Sequence, residues 1–231
     1  VFVLRQWNGM NNDPSVDLSI YNSPGSGAPL RGDGTDTLAI VDELGGLASP
    51  SPALYADTSR AFVSNGTLVA HLSPTNIEST PAGSKFGFTI SAISHGELRL
   101  PMDRAVLTAT IVGGVGNARL RQGVLSGAIL PDELLLSLPL VRDPSAPSPP
   151  QVDGAIGTQH LCVGTAGFRS AKAKACAAVD LREFEDEPIC GAISTVLSFS
   201  ASPGRLGSSV APRYTTSCPL VDGELPQEYC E

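Results

Sequence analysis

Residues 96–130 read GELRLPMDRAVLTATIVGGVGNARLRQGVLSGAIL. Apolar and polar side chains alternate along this run and pause at glycines. A period of two is the mark of a strand with one face buried and the other wet. Strand segments are predicted at 96–102, 105–113, 117–123 and 124–130, with turns at Met102-Asp103, Gly113-Gly114 and Gln122-Gly123. The same rhythm continues upstream in 67–73 and 84–94. Short turns between such runs predict antiparallel neighbours.

Working outward, residues 2–7 and 16–22 also alternate, and the dense turn formers of 8–15 separate them. The stretch 36–47 opens on Asp36 or Thr37 as a cap and stops at Gly45-Gly46, which predicts a helix. The stretch 51–66 has Ser51 as N-cap, Pro52 at the first helical position and an Asn65-Gly66 stop, which predicts another. Short helices are further expected within 130–139, between two prolines, and within the Ala-rich 170–184. GAISTVLSFSAS (191–202) is the clearest strand of the last third. The resulting fold class is mainly β: an antiparallel sandwich or partly closed barrel with two or three short helices and a disulfide-stapled C-terminal region. One domain over 1–231 is expected, with a Pro/Ser-rich loop at 142–151. The alternative is a β domain at 1–141 and a Cys-containing subdomain at 152–231.

The chain has 231 residues, of which 42% are hydrophobic, enough for a real core. Only 16% are charged, while 24 Gly and 19 Pro supply many turns. The formal net charge of -8 repels phosphate backbones, so nucleic acid is not an expected partner. No apolar run is long enough to span a bilayer as a helix. The first ten residues lack the basic and long apolar regions of a leader.

The five cysteines, Cys162, Cys176, Cys190, Cys218 and Cys230, are spaced 14, 14, 28 and 12 residues apart, without a CxxC pair. They read as disulfide candidates rather than zinc ligands. Local bridges are expected: Cys162–Cys176 or Cys176–Cys190, and Cys218–Cys230. Disulfides imply an oxidising address, extracellular, periplasmic or on the outer cell surface.

Candidate chemistry is sparse. Asp17, Asp33 and Asp36 offer oxygens of the type calcium takes, without the EF-hand spacing; no other cofactor is indicated. Arg31-Gly32-Asp33 spells an adhesion tripeptide, a three-letter match that chance often produces. His71, His95 and His160 lie far apart in sequence, and there is neither an HExxH nor a GxSxG motif. The carboxylates from Asp180 to Glu187 read as solvated charge. Gly114-x-Gly116 reads as a turn. Trp7, beside Asn8-Gly9, is the one tryptophan that could face a ligand such as a glycan. Asn65-Gly66-Thr67 matches the N-glycosylation pattern. The expected function is a non-catalytic binding or structural component with protein or surface-glycan partners, within a larger assembly. The alternative is an extracellular hydrolase acting on a polysaccharide or other polymer.

The order of several short motifs resembles a group of secreted or lipoprotein-like Gram-negative bacterial surface proteins of unassigned activity. They are the Asp-rich turn at 33–36, LGGL at 44–47, NGTL at 65–68, the Gly96–Ile111 and Gln122–Leu130 strands, and Cys190–Ala201. The resemblance covers most of the chain. It implies one continuous fold and a cell-surface address, and brings no catalytic residue with it.

Overall fold

A computed structural model describes residues 1–25, 29–41, 52–74, 88–92, 96–144, 160–181, 191–210, 218, 226 and 228–230. In chain order the strands are β1 (Phe2–Arg5), β2 (Asp17–Ile20), β3 (Thr37–Val41), β4 (Leu54–Ala56), β5 (Ala61–Ser64) and β6 (Thr67–Pro74). There follow β7 (Phe88–Ala92), β8 (Gly96–Leu100), β9 (Met102–Val112) and β10 (Arg119–Ile129). Helix α1 (Pro131–Ser137), a 3₁₀ turn (Leu138–Leu140) and helix α2 (Ala166–Ala177) precede β11 (Ile193–Ala201) and β12 (Arg205–Val210).

The protein is mainly β, as the alternation demands. Two compact units divide it: one from 1–88, 102–128 and 195–212, the other from 89–101, 129–194 and 213–231. The first holds the eight-stranded sheet, in the order β1-β2-β4-β6-β9-β10-β11 with β5 alongside β6. Pairing from β1 through β9 is antiparallel. The sheet is a curled half-barrel, whose two terminal strands meet through side chains. The ring of Phe2 on β1 stacks on that of Phe199 on β11, with centroids 4.6 Å apart and planes 13° apart. β3 and β12 form a separate parallel pair in the same unit.

Two bulge-like steps keep the long strands in phase. Met102 is buried, and so are Ala105, Leu107 and Ala109. The three-residue step from 102 to 105 carries Arg104 at φ 50°. On β10, Leu120 and Leu125 are buried, Gly123 lies between them, and Gln122 has φ 49°. An extra residue in the left-handed region absorbs one position, so the side chains beyond it return to the core face. The expected turn at Gln122-Gly123 is therefore a step inside one continuous strand.

The two early helices predicted at 36–47 and 51–66 are strands. Thr37–Val41 is β3; residues 42–51 lie outside the described residues. In 51–66, β4 alternates buried Leu54 and Ala56 around exposed Tyr55. β5 alternates buried Ala61 and Val63 with exposed Phe62 and Ser64. Asn65 (φ 48°) and Gly66 (φ 75°) form the two-residue hairpin between Ser64 and Thr67. Positive φ at both positions is the primed turn that suits strand twist, not a helix stop. The central core of this unit is deep: Leu18, Ile20, Leu54, Leu68 and Leu107 are each 0% exposed.

The second unit is smaller in its core. Leu135, Leu138, Leu161 and Phe168 are buried together, with Cys176 and Cys230 packed against them. The expected helix in 130–139 is α1, with Pro131 at its start. That in 170–184 starts earlier, at Ala166, because Thr165 caps it: its Oγ1 accepts from the Phe168 amide at 3.2 Å and donates to the Cys162 carbonyl at 2.7 Å. No described helix is long and apolar enough to cross a membrane.

Two disulfides are present, Cys162–Cys218 and Cys176–Cys230, with Cα separations of 5.2 and 5.4 Å. The expected local pairings are overturned. Helix α2 fills most of the span from Cys162 to Cys176, and a helix rises about 1.5 Å per residue. Its 12 residues hold these two thiols too far apart for the roughly 4.4–6.8 Å a disulfide requires. Each bridge instead closes a long loop to the C-terminal segment. Cys176 and Cys218 being taken, the Cys176–Cys190 and Cys218–Cys230 pairings fall as well. Cys190 and most of 142–151 lie outside the described residues. Stable disulfides mark an oxidising compartment.

Candidate functional site

Within the first unit a cleft of about 750 Å³ runs along β1. Its walls are Val1–Leu4 on one side and Ser200–Leu206 on the other, with Leu38 and the 30–36 loop completing it. Successive side chains of a strand point to opposite faces. A cleft lined by four successive residues follows β1 along its length and meets main chain as well as side chains.

The loop that rims the cleft is tied down at several points. The Asp36 carboxylate accepts the backbone N–H groups of Arg31 (3.0 Å) and Gly32 (2.6 Å). The Arg205 amide donates to the Asp36 carbonyl at 2.7 Å. Arg119 reaches up from β10 and donates to the Gly32 carbonyl at 2.9 Å and to Ser202 Oγ at 3.3 Å. Gly32 has φ 66°, and a Cβ there would lie 3.3 Å from Ser202. Backbone geometry and close approach both favour glycine at that point.

The lining is amphipathic. Leu30 and Leu206 are 59% and 44% exposed. Arg31 and Arg205 bring positive charge, and neither forms an ion pair among the described residues. Asp36 is the one acidic side chain among the described residues of the lining, and both its oxygens already accept a backbone hydrogen bond. In a chain of 23 acidic and 15 basic residues this is a local reversal of sign. Phe2 is the only aromatic residue among the described residues lining the cleft, and its ring is committed to Phe199.

The residues singled out from sequence fall elsewhere or take other roles. Asp17 lies on β2 opposite Arg5. Asp33 accepts from the Thr35 amide and hydroxyl, at 2.9 and 2.6 Å, which holds its carboxyl below the usual range. Asp36 is the loop clamp. Among the described residues no three His, Cys, Asp or Glu side chains gather to hold a metal, so Asp17, Asp33 and Asp36 are not brought together. Trp7 is half-buried, donates from Nε1 to the Met10 carbonyl at 3.1 Å, and does not line the cleft.

Neither of the two described histidines lines it. His71 is exposed on β6, opposite Val106. His160 belongs to the second unit, bridged to Arg142; burial, then the nearby Arg142 charge, lowers its pKa. His95 lies outside the described residues. Asp180 is placed, with Ser194 donating to it from both amide and hydroxyl; 183–187 lie outside the described residues. The 113–117 segment is the expected turn, closed by Asn117 N–H to the Gly114 carbonyl at 3.1 Å.

Sequence reasoning noted Arg31 only as the first letter of the adhesion tripeptide and missed Arg119 and Arg205. The three are 86 and more residues apart along the chain, and no local motif announces three side chains that only a curled sheet brings to one rim. No protein-family model, curated protein or solved structure matches the chain.

Proposed function

We propose that the protein is a non-catalytic binding component of an extracellular, periplasmic or outer-surface assembly, and that the β1 cleft is its binding site. Its place is then with the secreted or lipoprotein-like surface proteins of Gram-negative bacteria. One observation carries this: the cleft presents strand-edge amides, hydroxyls, two guanidinium groups and apolar walls. Such groups hold and orient a ligand. General acid–base or nucleophilic chemistry asks for a base within hydrogen-bond reach of a nucleophile. Among the described residues, the one carboxylate of the cleft is occupied by backbone N–H groups, and the Ser200 and Ser202 hydroxyls share it with no imidazole. The two disulfides support the compartment.

The test titrates isotope-labelled, oxidised protein with peptide and glycan panels, and follows the amides of β1 and of 30–36. Shifts confined to those residues, saturating with ligand and leaving it chemically intact, are expected. Turnover of any polysaccharide, ester or peptide in the panel, lost on Ser200→Ala or Ser202→Ala, would establish a hydrolase and sink the reading.

A further inference from the structure

We propose that the seam between β1 and β11 receives an extended acidic segment of a partner protein, which adds to the sheet as a strand along β1. This rests on the cleft being a binding site and names what it binds.

Four features converge on that occupant. First, β1 and β11 end the strand order, and no described strand pairs with the outer side of either. Second, the edge of β1 is chemically ready. Val1 and Tyr21 exchange backbone hydrogen bonds in both directions, at 2.7 and 2.8 Å. Antiparallel partners alternate between bonded and non-bonded pairs, so Val3 faces β2, and Phe2 and Leu4 turn their N–H and C=O groups outward. Those groups repeat at about 6.8 Å, two strand residues, a spacing that another extended backbone matches.

Third, the strands flanking the seam are under-covered. Phe2, Val3 and Leu4 are half-buried, as is the inward row of β11 from Ile193 to Ala201, while the mid-sheet leucines are fully buried. Apolar side chains of an added strand would take up that surface. Fourth, Arg31 and Arg205 face the cleft without ion-pair partners among the described residues. They select a segment carrying Asp or Glu. A glycan fits less well, because sugars favour open aromatic platforms, and the one ring among the described residues of the cleft is stacked on Phe199.

The experiment uses the oxidised full chain against a displayed library of nine-residue peptides, with a glycan array in parallel. Enriched peptides should alternate apolar and polar residues and carry Asp or Glu. For the best of them, N-methylation of the alternate amides that face β1 should abolish binding, while methylation of the other set should leave it within about threefold. Arg31→Glu with Arg205→Glu should weaken the acidic peptide at least tenfold. A peptide with Lys in place of its acidic residues should then bind the double variant better than it binds the original, which shows that the variant is folded. No enrichment, indifference to N-methylation, or indifference to the charge swap overturns the proposal. Glycan binding at the cleft also overturns it but leaves a binding component in place; turnover of a ligand ends both readings.

Discussion

The two units are held together by different means. The first contains no cysteine and rests on leucines withdrawn completely from water along β2, β4, β6 and β9. The second has a four-residue buried cluster and two disulfides that interleave in sequence, 162–218 and 176–230. Burying a leucine contributes about 1.5–3 kcal/mol. Closing loops with sequence separations of 56 and 54 removes chain entropy equivalent to about 4 kcal/mol each. A small core with helices and long loops thus leans on covalent closure, where a broad sheet does not need it.

The largest expected effect tests that contrast directly. Cys162→Ser with Cys218→Ser should destabilise the second unit by about 4 kcal/mol, the loop-closure value for this separation. Hydrogen exchange should accelerate in α1 and α2 and stay slow in β6 and β9. Equal acceleration in both sets would show that the bridge stabilises one cooperative whole, and the contrast would fail.

Next in size is a packing test in the disulfide-free unit. A Cβ on Gly123 would come within 2.5 Å of the Phe199 ring, which is already stacked on Phe2. Gly123→Ala should cost about 1–3 kcal/mol by overpacking, read from the urea midpoint. In a Phe199→Leu background the cost should shrink, because the smaller side chain can give way. An undiminished cost would place the strain elsewhere than in the aromatic seam.

The same contrast explains what the sequence disclosed. The period-two runs from 96 to 130 became β8 to β10, and a mainly β fold, sandwich or partly closed barrel, was legible from them. AFVSNGTLVA carried a hairpin signal, Asn-Gly between alternating residues, yet the cap-and-proline pattern of 51–66 pointed to a helix. Pairing of β5 with β6 and burial of Ala61 and Val63 won over that local preference. The steps at Arg104 and Gln122 were hidden because a left-handed residue inside a strand has no dedicated residue type. The cysteines announced their chemistry but not their partners, since pairing depends on where α2 places Cys176. Of the cleft, Asp36 was singled out as a calcium candidate and Arg31-Gly32 as part of a tripeptide; the structure shows both Asp36 oxygens accepting backbone N–H groups of the loop. The arginine rim exists only once the 30–36 loop, β10 and β12 have been brought together.

A smaller effect asks how much the second unit owes to non-covalent order. Thr165 caps α2 and also bonds the Cys162 carbonyl, next to a disulfide. Thr165→Ala should cost about 1 kcal/mol, and Thr165→Ser should recover most of it. Repeating the substitution after reduction sharpens the comparison. A larger cost in the reduced protein would mean that the Cys162–Cys218 bridge holds the helix start in place without the cap.

The smallest effect is a titration, and it separates local from long-range polar order. In the first unit Asp33 and Asp57 accept from residues two positions ahead, Thr35 and Ser59. In the second, Asp180 accepts from Ser194, 14 residues on, beside the Leu181–Ala192 bridge. Side-chain and backbone hydrogen bonds lower all three carboxyl pKa values from the ordinary 3.8. A depressed folded value means that the stabilisation is complete above the unfolded pKa, near pH 4, and is lost as pH falls through the folded one. All three groups are exposed, so the energies are small and the NMR titration of each carboxyl is the readout. Ser194→Ala and Ser59→Ala should each raise the partner's midpoint towards the ordinary value. Only Ser194→Ala should also speed exchange at the Leu181 and Ala192 amides, because a two-residue turn can re-form without its hydroxyl, whereas a 14-residue closure has no such local alternative. If Ser59→Ala loosens its surroundings as much as Ser194→Ala does, sequence distance is not what makes the second unit dependent on its ties.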